Sequence, residues 1–394
     1  MIDFDRAIAL IGEQATPIGS EQVALADAAG RVLAQDLVAR SCAPRSAVSA
    51  MDGYAVIQAS TMPGQWLELM GESRAGARLD GNLDAGQAAR IFTGAPLPAG
   101  ADYVIMQEYA ERDGTRVRFA EGYGPAGHVR AAGSDFAEGA LLVPAGTRLS
   151  PRAMIAAAAA DVAEVSVACV PKVAIIGTGD ELAPPGCAHE REDAIPESVS
   201  FGVAAMAESM GARITLRETA EDDLEALVAA AGRALEASDL VIVTGGASVG
   251  ERDFAKPMFE AHGLDLIFNK VAIKPGKPVW LGRAGGKMVL GLPGNPTSAM
   301  VTAALFLRPV LAKLQGASIE SVQCWRPMTI AAPLAATGSR ETFVRARWEA
   351  NGIAPVTNQD SGAQAALLKA DWLIRCPANQ AGLPAGAQVS ALEF

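Results

Sequence analysis

Lys172-Val173-Ala174-Ile175-Ile176-Gly177-Thr178-Gly179-Asp180-Glu181-Leu182 decides the architecture of this chain. A short run of branched apolar residues that ends in a glycine turn reads as a strand buried on both faces. Moving downstream, a helix of Ala and Met near 200–210 is followed by a strand in ARITLRETA and a helix in EDDLEALVAAAGRALEA. The acids that open this last helix suit the positive end of its dipole. Next come a strand in DLVIVTGG, a helix near 254–261, a short strand near 266–272, and the strand KMVLGLPG leading into the helix TSAMVTAALFLRPVLAKL. Strands that alternate with helices specify a layered α/β domain with a mostly parallel sheet, here assigned to 171–315.

Working outward, both flanks change character. Residues 3–14 carry Phe4, Ile8 and Ile11 at helical spacing, and 21–40 read as helical or mixed. From about 60 to 145, WLELM, AARIF, DYVIMQE, TRVRF and ALLVP are short strands separated by Gly and Pro. An Ala-rich helix follows at 151–160, and after Gly316 short strands return in MTIAA, TFVRARW and GIAPV. The expected fold class is therefore multidomain α/β plus β.

The 394 residues are ample for two to four domains. Lys and Arg total 33 against 44 Asp and Glu, a net charge of −11, which argues against a nucleic-acid surface. Cys42, Cys169, Cys187, Cys324 and Cys376 are far apart with no CxxC pair, so disulfides and a zinc site are not expected. The first residues lack a basic segment followed by an apolar run, and no stretch of 18 apolar residues occurs. A cytoplasmic protein without a membrane span is expected.

Three glycine turns close predicted strands of the α/β domain: Gly177-Thr178-Gly179-Asp180-Glu181, Thr244-Gly245-Gly246-Ala247-Ser248-Val249-Gly250 and Gly291-Leu292-Pro293-Gly294-Asn295-Pro296. Ligands of open α/β sheets bind outside the carboxyl ends of the strands, where glycine lets backbone N–H groups approach phosphate. None of the turns is a GxxxxGK[ST] loop or a GxGxxG fingerprint. Lys274-Pro275-Gly276-Lys277-Pro278 sets two cations around a stiff turn; it reads either as an anion clamp or as a solvated hairpin. Asp180, Glu181, Asp222, Asp223 and Asp253 lie near these turns, while Asp52 and Asp135 sit in glycine-flanked loops of the first half. Acids beside phosphate-binding turns suit Mg²⁺, although Asp222 and Asp223 equally suit a helix N-terminus. GxSxG is absent, and His128, His189 and His262 have no nucleophile context, so a Ser-His-Asp hydrolase is not supported.

Taken together, these motifs resemble the molybdopterin molybdenumtransferase family, which performs the last step of molybdenum cofactor synthesis. The resemblance rests on Ser49-Ala50-Met51-Asp52-Gly53-Tyr54-Ala55-Val56, on 91–102 (IFTGAPLPAGAD), on Thr178-Gly179-Asp180-Glu181-Leu182, and on the 245–250, 274–278 and 291–296 motifs, in family order over roughly 1–390. It implies an N-terminal dimerisation region (1–45 with 140–170), a mainly β region inserted in it (46–139), the α/β molybdopterin-binding domain (171–315) and a C-terminal β domain (316–394). It further implies a homodimer with a shared active cleft, with molybdopterin adenylyltransferase and a recipient molybdoenzyme or chaperone as candidate partners.

The family reaction takes adenylyl-molybdopterin and molybdate, inserts the metal and releases AMP with Mg²⁺. What the resemblance implies for this chain is metal handling by Asp180, Glu181 and Asp253, and phosphoanhydride cleavage by these with Asp223. Asp52 and Asp135 would reach in from the other subunit. Lys274, Lys277, Ser248 and Thr93 would hold oxyanions. Gly177, Thr178, Gly179, Thr244, Gly245, Gly246, Gly250, Pro275, Gly276, Pro293, Gly294 and Asn295 would shape or line the ligand turns.

Two departures stand out. Pro196-Glu197-Ser198-Val199 replaces the usual Asp-Ser-Asn, which turns an amide into an apolar side chain, and Asp360 in Gln359-Asp360-Ser361-Gly362 stands where a glycine is more common. The alternatives are a non-catalytic carrier, which Val199 favours, a scaffold, and a molybdopterin adenylyltransferase. A lone adenylyltransferase would lack the flanking β regions.

Overall fold

The computed structural model describes residues 1–246 and 254–394. Its central layer is a six-stranded sheet in the order Arg213–Ala220, Lys172–Thr178, Leu240–Thr244, Lys287–Leu292, Trp280–Ala284, Asp265–Phe268. The first four strands are parallel; Trp280–Ala284 forms an antiparallel hairpin with Lys287–Leu292 and pairs antiparallel with Asp265–Phe268 at the edge. Val173 and Ile175 face one core while Ala174 and Ile176 face another, so the Lys172–Thr178 strand is buried on both sides, as its apolar run requires.

The hairpin strand Trp280–Ala284 escaped the sequence reading, because Pro278, Gly282 and Gly285-Gly286 punctuate it. Each glycine has a structural reason. Gly285 and Gly286 have φ of 55° and 79°, the double left-handed geometry of a two-residue hairpin turn. A Cβ on Gly282 would come within 2.8 Å of Asp265 O on the neighbouring strand.

Helices Val199–Ser209 and Leu224–Ala237 cover opposite faces of the sheet. The segment Pro296–Leu314 runs as two α-helical stretches joined by a π-helical turn at Ala303–Leu307. Among the described residues it is the helix long and apolar enough to cross a membrane, yet 83% of its apolar window is buried in the protein. It packs with Phe4, Ala7 and Ile11 of the first helix, Phe4–Gln14, and with Phe343, Leu373 and Leu392 of the C-terminal sheet. Phe4 sits at this joint, edge-on to Phe306 (5.8 Å) and Phe343 (5.0 Å).

Residues 21–40, expected to be helical or mixed, are mixed: a 3-10 turn at Leu25–Asp27 lies between short strands whose pairing is long-range. Ser20–Ala24 pairs antiparallel with Glu164–Ala168, and Leu37–Val38 pairs with Leu141–Val143. The partners lie more than a hundred residues away, so local propensity gave no sign of them. Between these ladders the chain forms a second six-stranded sheet, in the order Tyr103–Met106, Gly53–Val56, Gln87–Ile91, Leu67–Ser73, Arg116–Phe119, Ala110–Asp113. A third sheet joins Ile273–Lys274 to the C-terminal strands Glu341–Glu349, Trp372–Cys376, Gln388–Glu393 and Arg326–Thr329. Cys376 is buried within it, and desolvation pushes its thiol up to about 11, which leaves it unreactive.

Candidate active site

The carboxyl ends of Lys172–Thr178, Leu240–Thr244 and Lys287–Leu292 open into a cleft of about 840 Å³. Of the residues expected there, Thr178, Gly179, Glu181, Thr244, Gly245, Gly246, Pro293, Gly294 and Asn295 line it. The three glycine turns touch one another. Gly245 has φ +97°, and a Cβ on it would lie 2.5 Å from Thr178 O; a Cβ on Gly294 would lie 3.2 Å from Gly245 Cα. Only glycine permits this approach. Gly177 lies directly beneath, with its Cβ position 3.6 Å from Thr244 Oγ1.

Thr178 is 5% exposed, and its hydroxyl has no hydrogen-bond partner among the described residues. A buried hydroxyl left unpaired costs about 1–3 kcal/mol, so an oxyanion or another polar group placed between the turns would be bound favourably. Ser248, Gly250 and Asp253, expected to contribute here, lie outside the described residues.

The acids divide by role. Glu181 folds its carboxylate back over Gly179, whose Cβ position is 2.6 Å from Glu181 Oε2. Asp180 Oδ1 accepts from Asp222 N at 2.9 Å, and Asp180 O accepts from Arg191 Nη2 at 2.7 Å, which ties the 184–194 loop to the turn. Asp223 caps the helix Leu224–Ala237, accepting from Ala226 N at 2.9 Å, and is not among the cleft's lining residues; its neighbour Asp222 is.

Glu197, which sequence reasoning did not select, also lines the cleft. It is 5% exposed and fully engaged by Ser200, accepting from Ser200 N at 2.7 Å and from Ser200 Oγ at 2.5 Å. Val199 opens the next helix and joins the core beneath the cleft, so this departure places an apolar surface on the cleft floor.

The lysine turn contributes Pro278 to the lining, while Lys274 and Lys277 are exposed. Pro275 leads into Gly276, which is buried at φ +93° against Thr302, with no room for a side chain. Asp52, Thr93 and Asp135 belong to the first half of the chain and do not line this cleft. Asp52 Oδ1 accepts from Thr93 N at 2.7 Å and from Thr93 Oγ1 at 2.8 Å. The Thr93 amide first, then its hydroxyl, hold the Asp52 carboxyl below the usual carboxylate range, aided by the Arg90 charge. Asp135 is exposed, and its N–H donates to Ala43 O at 3.0 Å.

The far wall is formed by Gly362 and Gln364 from the C-terminal region. Motif reading noticed this stretch only for its unusual Asp360. The signal it lacked was the long-range contact with Asn295, whose Nδ2 donates to Ser361 Oγ at 3.1 Å.

Among the described residues no group of three His, Cys, Asp or Glu is arranged to hold a metal. Mg²⁺ at a phosphate site needs only one or two carboxylates and keeps its remaining positions for water and phosphate oxygens. Glu181 and Asp222, both on the cleft, fit that donor set.

Three family models account for most of the chain. They are the MoeA N-terminal region (domain I and II) over residues 2–160, a probable molybdopterin binding domain over 174–313, and the MoeA C-terminal region (domain IV) over 328–394. A molybdopterin molybdenumtransferase of Haemophilus influenzae is 36% identical over 323 residues, 80% of this chain and 78% of its own length. The chain belongs to the MoeA family of molybdopterin molybdenumtransferases. A second relative of that description, from a Nostoc species, is 33% identical over 82% of this chain and 76% of its own. A crystal structure of a molybdopterin biosynthesis MoeA protein from Pyrococcus horikoshii OT3 superimposes with a TM-score of 0.86 at 26% identity, covering 100% of both chains. The protein is thus an enzyme of the MoeA transferase family, with the multidomain α/β and β architecture of its structural relatives.

Proposed function

We propose that this MoeA-family enzyme inserts molybdate into adenylyl-molybdopterin in the cytoplasm and releases AMP. The observation that carries the proposal is the meeting of three glycine turns around the Thr178 hydroxyl, unpartnered among the described residues, with Glu181 and Asp222 on the same cleft. Backbone N–H groups and Thr178 would hold phosphate oxygens, and Lys274 and Lys277 at the adjoining turn would attract the polyanion into an otherwise acidic protein.

Releasing AMP requires water to attack one phosphorus of the phosphoanhydride. One P–O bond forms, the bridging P–O bond breaks, and the water proton passes to a carboxylate and then to solvent. Glu181 would orient that water; the hydrogen bond from Asp222 N to Asp180 Oδ1, which steadies its turn, supports this role. Mg²⁺, held by Glu181 and Asp222 together with Asp253, would neutralise phosphate charge when bound.

The four-part division expected from the sequence and a homodimer with a shared cleft belong to the same proposal. Asp52, braced by Thr93, and Asp135 would then enter from the partner subunit. Val38, Leu141 and Ile155 support a dimer surface: they are exposed apolar side chains on the strand pair Leu37–Val38/Leu141–Val143 and on the adjoining helix Pro151–Ala159.

A carrier that binds finished cofactor without releasing AMP is the second reading, favoured by the apolar Val199 on the cleft floor. Incubation with adenylyl-molybdopterin, molybdate and Mg²⁺ separates them. AMP and active cofactor support the transferase, whereas tight binding without AMP supports the carrier.

A further inference from the structure

The C-terminal wall of the cleft is loop 358–364, which supplies Gly362 and Gln364. Ordering a loop residue costs about 1–2 kcal/mol, so a loop that leaves its own sheet to reach the cleft of the α/β domain needs anchors. Arg345, on the strand Glu341–Glu349, supplies one from below and is 1% exposed. Its guanidinium donates to Asn358 O at 3.2 Å, to Asp360 O at 3.1 Å and to Thr297 Oγ1 at 3.3 Å. The Gln359 amide accepts from Arg345 N at 3.1 Å and donates to Arg345 O at 2.8 Å. Ser361 O accepts from Thr297 N at 3.1 Å, which satisfies a first-turn amide of the helix that follows the Gly294-Asn295 turn.

Past Ser361, the Asp360 side chain restrains the wall. Its Oδ1 accepts from Gly362 N at 2.8 Å, and its own N–H donates to Asn358 Oδ1 at 2.9 Å. Asp360 does not adopt a left-handed φ, so the glycine more common at this position is not needed for backbone freedom. A glycine there would leave the Gly362 amide without its acceptor. Burial lowers the Arg345 pKa and the Asp360 charge opposes that shift, which ties the two residues electrostatically as well.

We propose that Asp360 is a positioning residue that determines substrate affinity: its bond to the Gly362 amide holds the Gly362–Gln364 wall against the Gly294-Asn295 turn, and so sets how tightly the cleft grips its anionic substrates. The identity of those substrates rests on the transferase reading; the placement of the wall does not.

The test compares Asp360→Ala, which removes the acceptor, with Asp360→Asn, which keeps it. Amide exchange at 362–364 and the kcat and KM for adenylyl-molybdopterin and for molybdate are measured on the full chain. In Asp360→Ala the Gly362 amide is expected to exchange about 3- to 10-fold faster, with KM for at least one substrate raised by a similar factor and kcat within about twofold. Asp360→Asn is expected to restore both. Unchanged exchange in Asp360→Ala, faster exchange with no change in KM, or an Asn variant that behaves like Ala would each overturn the proposal. Absence of turnover in the wild-type chain would instead sink the transferase reading, and amide exchange would then decide the position of the wall by itself.

Discussion

Asp52 illustrates how a single side chain carries a local signature. Its carboxylate is held by two donors of one residue, Thr93 N and Thr93 Oγ1. Because the folded pKa is depressed, the stabilisation is present above the ordinary aspartate range and is lost as pH falls through the folded value. Thr93→Val removes the hydroxyl and keeps the amide. The Asp52 pKa should therefore rise part of the way back to the usual aspartate value, measured by NMR titration of the carboxyl carbon; no change would show that the hydroxyl contributes nothing. The pair was legible as two motifs, at 49–56 and 91–102, but not as a contact, since 41 residues separate its members.

At the scale of elements, strands that end in glycine turns were readable because the Lys172–Thr178 and Leu240–Thr244 runs are apolar on both faces. Elements whose reason is tertiary were not. Ser20–Ala24 is a strand only because Glu164–Ala168 lies beside it, and Trp280–Ala284 hides its hairpin behind glycines that make room for Asp265 and turn the chain. Adjacent acids show the same limit. Nothing in the sequence of Asp222 and Asp223 tells cleft from cap, yet the structure gives the cleft to Asp222 and the cap to Asp223. Asp223→Ala should lower unfolding free energy by about 1 kcal/mol through loss of the N-cap, read as a shift in the urea midpoint. A midpoint equal to wild type would show that the cap carries no weight.

Across the whole molecule, the cleft draws on distant segments. Its floor comes from the α/β turns and its far wall from loop 358–364, while Asp52 and Asp135 stand elsewhere in the chain. A closed dimer would explain that separation. In a symmetric pair each site would borrow the partner's N-terminal acids. Mixing Asp52→Ala chains with Glu181→Ala chains then tests the arrangement. Each variant alone should be nearly inactive, and the re-equilibrated mixture should regain about a quarter of wild-type turnover, since half the dimers are mixed and each carries one intact site. A mixture no more active than its parts would place both acids in one subunit's site or in none.

The most direct measurement is AMP produced per active cofactor formed when the wild-type chain meets adenylyl-molybdopterin, molybdate and Mg²⁺. The account predicts one AMP per cofactor, with both products lost in Glu181→Gln. Binding of adenylyl-molybdopterin with no AMP, or undiminished AMP release by Glu181→Gln, would contradict it.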